Sequence, residues 1–98
     1  MRFFLSFTPT AEASLRELKI FPHLKKRFKA VVKALKFLQE NPRHNSLETH
    51  EFYSLKGPDG EKVFEAYAEQ DSPSAYRIFF FYGKQRGEII IIAITPHP

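Results

Sequence analysis

Four short stretches of the chain are rich in β-branched and aromatic residues, which predicts four strands. They cover Arg2 to Phe7, Lys62 to Gln70, Ala75 to Tyr82 and Glu88 to Thr95. The last stretch carries five isoleucines and is apolar at successive positions rather than at alternate ones. A run that is apolar on both faces is typical of a central strand.

Between the first and second of these stretches, the hydrophobic spacing changes to that of a helix. Thr8 or Thr10 can cap a first helix, Pro9 suits a first-turn position, and the helix ends near Ile20. A second helix is predicted from about Pro22 to Glu40, before the stop at Asn41-Pro42. Its apolar stripe steps by four, three, four and three through Leu24, Phe28, Val31, Leu35 and Leu38.

The segment from Arg43 to Glu61 is polar and predicts a loop, with a short extended piece at Glu51 to Leu55 and a turn at Gly57 to Gly60. The connectors "DSPS" and "GKQRG" are short enough for hairpins. We therefore expect one α+β domain over residues 1–98. It has an N-terminal strand, a two-helix hairpin and a three-stranded antiparallel meander, with the helices on one face of a single sheet.

Strand alternation assigns the two faces of the predicted sheet. It predicts an open face with Glu65, Tyr67 and Glu69 and a core face with Phe64, Ala66 and Ala68. Arg77 is the single charge in an otherwise aromatic strand. Because an unpaired buried guanidinium is costly, Arg77 either pairs with Glu65 or Glu69, or opens onto a cleft where its planar fork holds a phosphate.

His97 follows the last strand between two prolines. Alternation puts it on the side of Ile91, Ala93 and Thr95, and its side relative to Arg77 depends on the strand register. A terminal histidine is either solvent-exposed and inert or, when its backbone is restrained, a suitable general acid or base.

Composition adds a basic bias, with a net charge of +4 over 98 residues and an isoelectric point near 9.5. Much of the positive charge lies between Glu17 and Glu40, where there is no acidic residue. One helical face carries Lys26, Lys29, Lys33 and Lys36. It is either an ordinary solvated face or a docking surface for RNA or an acidic protein segment.

The remaining composition excludes several classes of function. No cysteines are present, so we expect no disulfide framework or thiolate metal site. His23, His44 and His50 lack a compact ligand spacing, and we expect neither a metal nor a cofactor. With no run long enough to span a bilayer, we expect a cytoplasmic protein with no membrane partner.

The order of elements and the pair "AYRIFFFYG" and "EIIIIAITPHP" resemble the RelE/ParE superfamily of type II toxin-antitoxin toxins. The resemblance covers nearly the whole chain. In RNA-cleaving members the arginine of a "YR-aliphatic" strand, here Arg77, contributes to the active site, and His97 matches a basic, histidine or tyrosine position beyond the last strand. Some relatives carry lysines on the strand before the arginine, where this chain has Glu65, Tyr67 and Glu69, with Lys62 at the start.

The resemblance implies a toxin that inhibits translation by ribosome-dependent, metal-independent cleavage of mRNA. Arg77 would stabilise charge, His97 would act as acid or base, Glu65 or Tyr67 would assist proton transfer, and Lys62 with the lysine-rich helix would hold RNA. The implied partners are a cognate antitoxin, in a hetero-oligomer, and mRNA on the ribosome. Two alternatives are a ParE-like non-enzymatic inhibitor of DNA gyrase and a non-toxic RNA-binding or protein-binding member of the fold.

Overall fold

The computed structural model describes residues 2–97 and contains five strands and two α-helices. A single 3₁₀ turn precedes each of α2 and β2, at Pro22–Leu24 and Asn45–Leu47. The elements in chain order are β1 (Phe4–Phe7), α1 (Pro9–Ile20), α2 (Lys25–Glu40), β2 (His50–Lys56), β3 (Lys62–Tyr67), β4 (Tyr76–Tyr82) and β5 (Glu88–Pro96).

All five strands form one sheet in the order β1-β5-β4-β3-β2. β1 lies parallel to β5, and the other neighbours are antiparallel. This confirms the predicted α+β fold, with β5 as a central strand. None of the helices in the described part of the chain is long and apolar enough to cross a membrane.

Local sequence sets both ends of the helices. Thr8 caps α1, because its hydroxyl oxygen accepts a hydrogen bond from the Ala11 amide at 3.2 Å. Each helix is followed by a residue with extended backbone before a proline, Phe21 after α1 and Asn41 after α2. Proline disfavours helical backbone in the residue that precedes it, which explains both stops.

The main core lies between the helices and one face of the sheet. Val31, Leu35 and Leu38 supply the buried part of the α2 stripe, and Ile78 and Phe80 face them from β4. Burial of this face removes the largest apolar side chains from water and fixes which face of the sheet stays open.

Two β-irregularities alter the predicted faces. Between β4 and β5 the register shifts, so that Phe79 pairs with Ala93 but Phe80 pairs with Ile91, and Ile92 is the extra residue. Ile91 therefore points into the core, and His97 lies on the opposite face of β5. The expectation that alternation continues unbroken through β5 is wrong for this reason.

The second irregularity lies at the end of β3, where the amides of Ala68 and Glu69 both donate to the Tyr76 carbonyl oxygen. The extra residue interrupts the alternation, and Glu69 leaves the row of Glu65 and Tyr67. The Glu69 carboxylate instead accepts a hydrogen bond from Arg27 of α2 at 3.3 Å.

The segment predicted as a loop with a short extended piece contains a full strand, β2. It pairs antiparallel with β3 through His50 opposite Glu65 and Glu51 opposite Phe64, with an irregular register toward Lys56. An edge strand forms one ladder and keeps much of its surface in water, so its hydrophobic pattern is weak. The meander accordingly has four strands rather than three.

Candidate active site

The register of the sheet brings the predicted site residues together on its open face. Arg77 of β4 lies opposite Tyr67 of β3 and opposite Thr95 of β5. Glu65 shares this face because it is two residues before Tyr67. His97 shares it because it is two residues after Thr95.

Arg77 is held by two neighbours on β3. Its Nη1 donates a hydrogen bond to Glu65 Oε2 at 2.6 Å, and its guanidinium carbon lies 4.5 Å from the centre of the Tyr67 ring. The Arg77 Nε is buried and has no hydrogen-bond partner within residues 2–97. The ion pair with Glu65, one of the two sequence alternatives, is therefore present, while Glu69 is paired with Arg27.

Among residues 2–97, Glu65 is the one charged residue that is buried, at 3% exposure. Both of its carboxylate oxygens have a partner, since Oε1 lies 2.8 Å from His50 Nε2 and Oε2 binds Arg77. The His50 ring also meets Tyr67 edge-on, with centroids 5.7 Å apart.

Sequence reasoning weighed His50 only as a metal ligand and missed this contact. The missing piece of information was the pairing of β2 with β3, which places His50 directly opposite Glu65. The predicted extended piece, Glu51 to Leu55, lies inside β2 but begins one residue after His50, and it carried no information about a partner strand.

His97 lies just beyond the last residue of β5, and its backbone is tied to β4. Its amide donates to the Ala75 carbonyl oxygen at 2.8 Å, which extends the β4–β5 ladder past Pro96. The side chain is exposed. The restrained backbone that the flanking prolines suggested is thus also held by a hydrogen bond.

Arg77 and His97 together line two recesses at this end of the sheet. One, of about 300 Å³, runs under the β3–β4 connection and also includes Glu48 and Tyr67. The other, of about 400 Å³, is mainly apolar and includes Phe52 and Phe79, whose rings meet edge-on at 5.0 Å.

Arg27 fixes the connection that walls the smaller recess. Its Nη1 donates to the carbonyl oxygen of Ser74 at 2.6 Å and to Glu69, and its Nη2 donates to the carbonyl oxygen of Pro73 at 3.3 Å. The guanidinium also lies 5.4 Å from the centre of the Tyr76 ring. One basic residue of α2 is therefore structural.

The predicted RNA-binding lysines lie apart from Arg77. Lys26, Lys29, Lys33 and Lys36 are exposed on the outer side of α2, and α2 packs on the sheet face that Ile78 occupies. Lys62 is exposed at the far end of β3. The structure thus does not bring these cations to the Arg77 recesses. Within residues 2–97, no three His, Cys, Asp or Glu side chains are grouped as metal ligands would be.

No family model matches the sequence, and a search of curated proteins finds no relative. Solved structures do match the fold. A chain of the archaeal RelE-RelB complex from Pyrococcus horikoshii OT3 is 14% identical with a TM-score of 0.67, over 98% of this chain and 96% of that chain. YoeB from Staphylococcus aureus, solved as a dimer, is 16% identical with a TM-score of 0.69, over the whole of both chains. A YoeB/ParE toxin from Agrobacterium tumefaciens is 11% identical with a TM-score of 0.71, also over both whole chains.

Proposed function

We propose that this chain, which has the fold of the RelE/ParE superfamily toxins, is the toxin of a type II toxin-antitoxin pair and cleaves mRNA on the ribosome. The observation that carries the proposal is that Arg77 and His97 line the same two recesses of the open sheet face. A fixed guanidinium and an exposed imidazole that line the same recess can supply two of the functions that phosphodiester cleavage needs, charge stabilisation and proton transfer.

The proposed reaction is attack of the RNA 2′-hydroxyl oxygen on the adjacent phosphorus. The new O–P bond forms as the bond to the 5′-oxygen breaks, which leaves a 2′,3′-cyclic phosphate and a 5′-hydroxyl. The nucleophile belongs to the substrate, so the protein has to remove one proton, supply one proton and stabilise negative charge on the phosphate oxygens.

His97 acts as the acid or the base in one of the two proton transfers, water exchanges the other proton, and Arg77 takes the charge-stabilising role. An imidazole exchanges protons near neutral pH, and the exposed His97 side chain can reach a bound substrate. Arg77 is held against Tyr67 and Glu65, so its position is set before substrate arrives. Glu65 is buried with both oxygens occupied, and we assign it to holding Arg77 rather than to direct proton transfer. Tyr67, whose ring packs under the guanidinium, has the same holding role.

The basic α2 face is proposed to contact ribosomal RNA away from the scissile phosphate. Lys29, Lys33 and Lys36 project from one exposed side of the helix, which suits contacts with a phosphate backbone on a large particle. We expect that replacing these three by glutamine weakens ribosome binding and lowers its salt dependence. Cleavage at saturating ribosome concentration should be retained.

The proposed protein partner is a cognate antitoxin. Its support is the fold shared with a chain of a RelE-RelB complex. Co-purification of the chain with the product of an adjacent gene, followed by loss of toxicity on co-expression, would test this assignment.

The test of the reaction compares wild type with His97→Ala and Arg77→Ala during controlled expression. Reporter mRNA is followed by primer extension, and plasmid supercoiling is followed in the same cells. His97→Ala is the cleaner variant because the side chain is exposed and its removal should not alter folding. His23→Ala, an exposed histidine in the turn between the helices, is the matched control.

We expect cut message with wild type and the His23 variant, and intact message with the other two. Intact message and altered supercoiling with wild type would replace the proposal by gyrase inhibition. Neither effect with wild type would favour a non-toxic binding member. Incubation of purified protein with naked mRNA and with translating ribosomes then decides whether cleavage depends on the ribosome.

A further inference from the structure

His50 has a hydrogen-bond acceptor beside each of its ring nitrogens. Nδ1 lies 2.9 Å from the backbone carbonyl oxygen of Glu48. Nε2 lies 2.8 Å from Glu65 Oε1. A carbonyl oxygen can only accept, so the contact with Glu48 requires a hydrogen on Nδ1.

The second contact then requires a further proton. Glu65 accepts a hydrogen bond from Arg77 at 2.6 Å through its other oxygen, as an ionised carboxylate does. With the one hydrogen of a neutral imidazole already on Nδ1, two lone pairs would face each other across 2.8 Å. A proton between Nε2 and Oε1 removes this repulsion, and the three side chains then carry a net charge of +1.

We propose that His50 is a positioning residue that sets the charge of the Arg77 anion site through Glu65. This inference rests on the proposed function. With the proton present, the buried carboxylate is shared by two cations, and Arg77 keeps positive charge for a phosphodiester. Without it, Arg77 and Glu65 neutralise each other, and the site loses attraction for an anion.

Burial makes this coupling effective. The Glu65 side chain is 4% exposed and that of Arg77 is 20% exposed, so water screens their interaction weakly. The His50 side chain is 46% exposed, and its interaction with Glu65 is screened more. Arg77 lines both recesses, whereas the residues that line them do not include His50. His50 therefore acts on a bound anion through Glu65 and not by touching it.

The other groups around His50 do not substitute for Glu65. Arg43 and Glu51, of opposite charge, share a recess of about 200 Å³ with His50 and Tyr82. Burial raises the pKa of Tyr82 while Arg43 lowers it, with burial the larger effect, so Tyr82 stays neutral at physiological pH. Tyr67 presents its ring to His50.

The test measures sulfate binding by titration calorimetry at about pH 5.5 and about pH 8, on either side of the usual histidine range. Sulfate keeps its charge over this interval. All proteins carry His97→Ala, so that the other imidazole at the recess does not contribute. His50→Gln keeps a donor for Glu65 but is never charged, and His50→Lys is charged at both pH values.

We expect the His97→Ala parent to bind sulfate roughly three- to tenfold more tightly at the lower pH. His50→Gln should bind as weakly as the high-pH parent at both pH values. His50→Lys should bind as tightly as the low-pH parent at both. Circular dichroism confirms folding, and added Arg77→Ala should abolish binding in each protein.

Three results would overturn the inference: no sulfate binding by the parent, binding that does not change with pH, or equal weakening by both His50 variants. Equal weakening would assign His50 a structural role. The outcome is separable from that of the proposed function. The expected sulfate pattern without mRNA cleavage would refute the nuclease alone, whereas cleavage with a flat sulfate pattern would refute the role of His50 alone.

Discussion

Replacing Arg77 by methionine should destabilise the fold strongly, because it leaves the Glu65 carboxylate buried at 3% exposure without its guanidinium. Removing one partner of a buried ion pair typically costs about 3–5 kcal/mol. His50 still faces the other carboxylate oxygen at 2.8 Å, so we expect the lower end, about 3 kcal/mol. For a domain of this length, that corresponds to a fall in Tm of about 12–24 °C.

Urea unfolding followed by circular dichroism measures this loss as a lower midpoint at unchanged slope. The matched control is Arg16→Met, which breaks an exposed pair with Glu12 whose side chains are 66% and 65% exposed. It should change the free energy of unfolding by less than about 0.5 kcal/mol. The double variant Arg77→Met with Glu65→Leu should recover much of the loss, because no buried charge is left behind.

A cost below about 1 kcal/mol for Arg77→Met would refute the reasoning. It would mean that Glu65 reaches water or another cation when the guanidinium is removed. Additive effects of the two substitutions would contradict it independently, since additivity means that the two side chains do not interact.

Three further outcomes follow from the structure. Ile91→Ala should cost about 2–5 kcal/mol in urea unfolding, because the side chain is fully buried under the helices, whereas Ile20→Ala, at 60% exposure, should cost far less. Thr8→Ala should cost about 0.5–2 kcal/mol through loss of the α1 cap, with Thr8→Ser restoring most of it. Spectrophotometric titration should place the pKa of Tyr82 above its ordinary 10.0, since burial outweighs the lowering by Arg43. Because this pKa is raised on folding, the stabilising contribution should be present below pH 10.0 and be lost as the pH rises through the folded value.

The sequence by itself determined the elements that carry strong local signals. Helix ends depend on residues that are adjacent in the chain, such as Thr8 before Pro9. Thr8 was one of the two predicted caps of α1, and the predicted end near Ile20 agrees with the structure. The central place of β5 followed from its isoleucines, because a strand between two others is covered more than an edge strand. The choice of Glu65 as one of two partners for Arg77 was also within reach of strand alternation.

Tertiary structure alone decided the pairing that forms the site. The bulge at Ile92 moves His97 to the face of Arg77 and turns Ile91 into the core, and a bulge depends on how two strands meet. β2 is an edge strand with a weak hydrophobic pattern, so nothing in the sequence was a reason to place His50 in the site. His50 lies opposite Glu65 only because β2 pairs with β3. Local propensity acts over a few residues, whereas the contact of His50 with Glu65 spans fifteen positions and that of Arg27 with Glu69 spans forty-two. Contacts of that range arise when the packed sheet and helices bring distant segments together.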